Sequence, residues 1–125
     1  MYVTANTHRP VAALPGLVHR TLAGNADGLT QLSLWRQTIA PGGATPPHRH
    51  DCEEVVIVDR GKGTLIVEGA AHRFGPDSTL VIPRNALHQI VNSGSVPLEC
   101  TAAFSVSRVE VYLPDGAAFA LPWET

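Results

Sequence analysis

The chain has 125 residues, a size that builds one hydrophobic core and is too short for two. Nine Lys and Arg against eleven Asp and Glu leave a formal net charge of −2, so there is no basic field of the kind that binds nucleic acid or an anionic membrane surface. No apolar run reaches membrane-spanning length, and Thr4, Asn6, His8 and Arg9 precede any apolar stretch; a cytoplasmic protein with no signal peptide and with Cys52 and Cys100 reduced is expected.

In chain order, short apolar or alternating runs predict strands over 17–22, 29–39, 54–59, 63–68, 71–74, 79–82, 88–92 and 98–106. Turn signals separate them, at Gly24-Asn25, Pro41-Gly42-Gly43, Gly61-Lys62-Gly63, Gly75-Pro76-Asp77 and Asn92-Ser93-Gly94. No long helical period interrupts the series. Many short strands at this spacing predict a single all-β domain, a sandwich or barrel with its core over 17–106. The tail, 107–125, carries Val109 to Leu113, a Pro114-Asp115-Gly116 turn, then Phe119, Leu121 and Trp123. That apolar bulk is expected to pack on the barrel or on the same region of a second subunit.

The chemistry-bearing residues concentrate at the centre. His48 and His50 lie two apart, so in an extended chain they share a face, and Glu54 stands at an even offset that returns to it. His88 follows Pro83 in a second segment of similar character. Three imidazoles and one carboxylate suit a divalent transition metal (iron, manganese, nickel, copper or zinc) better than calcium or magnesium. By the same alternation Glu53 faces solvent. Cys52 is either a reactive thiol beside the metal or a small buried hydrophobe. His8, His19 and His72 lack partners at ligand spacing and are expected at the surface or in hydrogen bonds. Arg36, Gln37 and Thr38 are candidates for the barrel mouth, Arg36 the one suited to grip a substrate; Asn92 is expected to hold a turn.

The spacing also carries a resemblance. Gly42, five residues, His48, one residue, His50, three residues, Glu54, six residues and Gly61 are similar to the first motif of the cupin superfamily at every anchor. Pro83, His88 and Asn92 resemble the second motif, with two departures: Asp77, not Gly75, stands at the distance of its first Gly, and Asn85 stands at its second Gly. Asn tolerates a left-handed backbone better than other side chains, so the turn before His88 is expected to survive. The two motifs cover Gly42 to Asn92 and leave both ends uncovered.

The resemblance implies a cupin-type double-stranded β-helix, or jelly-roll barrel. It also implies one metal held by His48, His50, Glu54 and His88 inside its open end, and a homodimer. Four protein ligands on a six-coordinate ion leave two positions for water, substrate or dioxygen. Oxygenase-type chemistry on a small organic molecule is the first expectation. A Lewis-acid isomerase or lyase, or a non-catalytic metal- and ligand-binding cupin, is the alternative. Glu53, Cys52 and Tyr112 are the candidates for moving a proton. An apolar pocket for a small, partly aromatic or carbonyl-bearing molecule follows from strands rich in Val, Ile and Leu.

Overall fold

The structure, a computed structural model, describes residues 2–125. Nine strands carry the fold: β1 (Val11–Leu14), β2 (Leu17–Ala23), β3 (Ser33–Ile39), β4 (Glu54–Arg60), β5 (Gly63–Val67), β6 (Ala70–Phe74), β7 (Ser78–Ile82), β8 (His88–Val91) and β9 (Leu98–Phe104). Two one-turn 3-10 helices, at Asn6–His8 and Asn25–Asp27, are the only helical elements among the described residues. The strands form an antiparallel six-stranded sheet, β1-β2-β3-β9-β4-β7, and a three-stranded sheet, β6-β5-β8, which face each other as a jelly roll.

Alternation builds the core. On the six-stranded sheet Trp35 and Ile39, Leu98, Cys100, Ala102 and Phe104, Val56 and Val58, and Leu80 and Ile82 turn inward, while Val55, Ile57 and Val81 between them stay exposed. Leu65 and Ile90 close the core from the second sheet. Because one face is buried and the other exposed, a one-residue slip would turn the packed residues and Glu54 outward, which fixes the register Glu54↔Phe104 and Glu54↔Ile82 at the start of β4.

The predicted strands match the observed ones to within one or two residues at most ends, with two differences. β3 begins at Ser33 rather than 29, since Gly28 ends the preceding 3-10 turn in a left-handed conformation (φ 85°) and residues 29–32 complete the connection. β1 was not expected: Val-Ala-Ala-Leu between Pro10 and Pro15 lacks β-branched weight, and it survives as an edge strand on β2, where proline is tolerated.

Both positions at which the sequence departs from the second cupin motif adopt the left-handed backbone a glycine would supply, Asp77 with φ 58° and Asn85 with φ 65°. The turns are therefore kept with non-glycine residues, and Asn85 N–H donates to the His50 carbonyl at 2.8 Å. At Gly61, φ is 88° and a Cβ would sit 2.8 Å from the Pro97 carbonyl oxygen, so that motif anchor is both conformational and steric.

The tail lies over its own barrel. Val109 and Val111 are buried, Arg49 and Tyr112 exchange backbone hydrogen bonds at 2.8 and 2.9 Å, and the chain reverses at Pro114-Asp115-Gly116 so that Phe119 N–H meets the Val111 carbonyl at 2.8 Å. Phe119, Leu121 and Trp123 then line the barrel's mouth.

Candidate metal centre and ligand pocket

The histidine pair and the distant histidine meet through the backbone. The 44–50 segment runs beside β8: His48 N–H donates to the His88 carbonyl at 3.0 Å and His88 N–H returns the bond to His48 at 2.9 Å. This antiparallel bridge brings residues forty apart in sequence into direct register. Glu54, the first residue of β4, faces them from the other sheet.

The side chains converge. One ring nitrogen from each of His48, His50 and His88 lies within 4.8 Å of the others, and all three residues are buried. Glu54 Oε1 is 3.4 Å from His50 Nε2 and 3.3 Å from His88 Nε2. The second ring nitrogens are already engaged: Nδ1 of His48 lies 2.6 Å from the Pro46 carbonyl, Nδ1 of His50 2.8 Å from the Glu110 carbonyl, and Nδ1 of His88 3.0 Å from the Ala86 carbonyl. A carbonyl only accepts, so each Nδ1 carries the hydrogen, and a neutral ring then has its lone pair on Nε2. His50 Nε2, His88 Nε2 and Glu54 Oε1 are buried without a well-formed hydrogen bond, an arrangement that costs free energy unless something else binds there. Oriented, deprotonated Nε2 atoms with backbone carbonyls behind them are what a divalent transition metal requires. The three histidines are thus brought together, with Glu54 against two of them, and the three-histidine group fits such an ion.

The electrostatics point the same way. Burial lowers His48 to about 3, helped by His88 and His50 beside it. Burial also lowers His50, against the opposing pull of Glu54. Burial would raise Glu54, but its contact with His88 and the neighbouring imidazoles hold it below the usual carboxylate range; burial would lower His88, but Glu54 outweighs it and raises it. Glu54 thus favours a proton on His88, and a metal bound there would displace that proton.

A narrow pocket leads to this cluster. Its walls are Leu14, Leu17, Trp35, Pro46, Ile90, Phe104, Val111, Phe119, Leu121 and Trp123, with Gln37 and Thr45 as the other polar residues. Gln37 shares the inward face of β3 with Trp35. Arg36 points the other way: it is exposed on the outer face and does not line the pocket, so it cannot grip a substrate there. Cys52, Glu53 and Tyr112 do not line it either. Cys52 is a buried side chain whose thiol is pushed up to about 11, chiefly by burial, and this removes it as a reactive thiolate near the cluster.

Two participants escaped the sequence reading. Glu110 supplies the carbonyl that orients His50, sixty residues away, and His19, expected at the surface or in hydrogen bonds, is buried at the pocket's flank, hydrogen-bonded to Thr21 and Gln37 and stacked on Trp123. Backbone carbonyls leave no trace in residue type. His19 carries only its inward parity on β2.

An antiparallel jelly roll with three converging histidines at its mouth defines a cupin. Solved structures agree: a cupin-2 domain protein from Rhodospirillum rubrum superposes with TM-score 0.69 at 26% identity, over 79% of this chain and 66% of that one. An RmlC-like cupin from Shewanella frigidimarina gives TM-score 0.75 at 16% identity, over 86% of this chain and 93% of that one, a likeness of fold alone. Within the cupins, the chain belongs to the family described as Auxin binding protein, which matches residues 6–122. Auxin-binding protein 1 of Arabidopsis thaliana is 37% identical over 109 residues, 79% of this chain and 55% of that protein, so the chain spans about half the length of that relative.

Proposed function

We propose that this protein is a metal-dependent binding barrel for a small apolar organic acid of the auxin class, with His48, His50, His88 and Glu54 as the metal ligands. The observation that carries this reading is the pocket: apolar and aromatic walls running down to three convergent histidines with Glu54 beside them. A bound divalent metal would supply positive charge and an open position for an anionic oxygen. The chain's own residues do the rest. Trp35, Phe104, Leu121 and Trp123 offer the apolar body of a ligand a dry surface, and the Nδ1 bonds to backbone hold the imidazoles in place.

No acid–base side chain outside the ligand set lines the pocket, which argues against the Lewis-acid isomerase or lyase, and the auxin-binding relatives favour binding over oxygenase chemistry. The test is calorimetric titration of indole-3-acetic acid into protein loaded with zinc or manganese, into chelator-treated protein, and into His88→Ala. Binding confined to the metal-loaded wild type is expected. Equal binding without metal would refute the metal-dependent reading, and dioxygen uptake by iron-loaded protein on adding the acid would restore the oxygenase.

A further inference from the structure

Gln37 lines the pocket, and its amide ends a hydrogen-bond chain that runs outward through β2 to the tail. The direction of every bond in that chain can be deduced. Thr21 Oγ1 lies 2.5 Å from the Glu124 carbonyl oxygen, which only accepts, so the hydroxyl spends its single hydrogen there. His19 Nε2 lies 2.8 Å from the same Oγ1 and must therefore be the donor between them. Burial holds the His19 ring neutral, with its pKa lowered to about 3, and a neutral ring protonated on Nε2 has a bare Nδ1. The Gln37 amide atom 3.0 Å from Nδ1 is then necessarily the nitrogen, donating, whatever side-chain flip is considered. Gln37 Oε1 is left without a protein partner among the described residues.

The ring that transmits this is itself held by the tail. His19 stacks on Trp123, with centroids 3.8 Å apart and planes at 12°, and meets Trp35 edge-on at 4.9 Å. A fully buried, neutral, twice-bonded histidine between the tail and a pocket amide is more than a filler of space, since a hydrocarbon ring would fill the same volume.

We propose that His19 is a positioning residue that couples the seating of the 119–125 segment to the orientation of the Gln37 amide, so that the pocket meets its ligand with one polar group already aimed. The coupling deepens the ligand-binding reading above and rests on it. When Trp123 and Glu124 are seated, the Gln37 amide cannot flip. When they are not, His19 loses both its stack and the acceptor beyond Thr21, and the amide is free to rotate.

The test combines binding with a ligand-free measurement. His19→Phe keeps an aromatic plate for Trp123 but no ring nitrogen, and Gln37→Leu removes the amide. With zinc-loaded protein and indole-3-acetic acid as titrant, each variant is expected to keep wild-type zinc content and bind about three- to tenfold more weakly, the equivalent of one neutral hydrogen bond. The double variant is expected to be no weaker than Gln37→Leu alone. Costs that add in the double variant, or no loss in His19→Phe, would overturn the coupling and leave His19 a structural residue. Independently, nitrogen-15 NMR of the ligand-free protein is expected to show His19 protonated on Nε2 and bare on Nδ1 from pH 7 to pH 5. A proton on Nδ1 would overturn the proposal directly. Should wild type show that tautomer yet bind no acid, the ligand reading fails instead, and the relay is then decided by whether His19→Phe shifts the Gln37 side-chain amide resonances.

Discussion

The Asn92 side chain ties the end of β3 to the loop that follows β8. Its Nδ2 donates to the Ile39 carbonyl at 2.8 Å and the Val96 carbonyl at 2.9 Å, while Oδ1 accepts from Gly94 N–H at 2.9 Å, and the residue is 1% exposed. Asn92→Ala would strand these three groups and is expected to cost about 2–4 kcal/mol, read as a lower urea midpoint at unchanged slope. A loss below ~1 kcal/mol would mean that water enters and replaces the amide. Asn85 makes a conformational contribution instead. With φ 65° it sits where a Cβ is disfavoured, so Asn85→Ala should lose about 1 kcal/mol and Asn85→Gly should stay close to wild type by the same measurement. The sequence makes such residues legible when their role is local, as with His48, His50, Glu54, Asp77 and Asn85. It does not do so for His19 and Gln37, whose partnership depends on pairing β2 with β3 and then laying residues 119–125 across them.

At the scale of elements, the histidine cluster is a product of two strand-like pairings that no single run of sequence reveals. One joins His48 to His88, and the other joins Arg49 to Tyr112, placing the Glu110 carbonyl behind His50. The tail is therefore part of the site's scaffold. Tyr112→Pro deletes the N–H that donates to the Arg49 carbonyl at 2.9 Å and disturbs that placement without touching His48, His50, His88 or Glu54. About tenfold weaker zinc binding is expected by competition with a chromophoric chelator, in the range seen when a group behind a ligating histidine is lost. Unchanged zinc affinity would show that His50 keeps its orientation without the tail. Most strands were readable because they alternate cleanly between inward and outward faces. β1 was not, having only Val11 and Leu14 as apolar bulk and being defined by its neighbour rather than its own pattern.

The molecule as a whole carries a pH dependence set by its buried histidines. His19 and His48 are both lowered to about 3, chiefly by burial, and His50 is lowered as well, whereas the unfolded chain titrates its histidines near 6.5. Below pH 6.5 the unfolded chain takes up protons that the folded chain refuses, so stability is full above that pH and falls progressively as pH drops from 6.5 towards 3. His88 works in the opposite sense: raised by Glu54, it adds stability below 6.5 that is lost as pH rises through its folded value. Three lowered histidines outweigh one raised, so the metal-free protein should lose thermal stability on acidification from pH 7 to pH 5. Metal binding needs His88 neutral, which removes the opposing contribution and adds competition between protons and metal, so the zinc-loaded protein should fall more steeply over the same interval. His19→Phe, distant from the ligands in sequence, should flatten the slope in both forms by the share of one histidine. Melting temperatures at pH 7, 6 and 5 for the four samples decide it: parallel slopes for wild type and His19→Phe would show that the His19 ring can take up a proton within the fold, and the closed stack against Trp123 would have to open to let it.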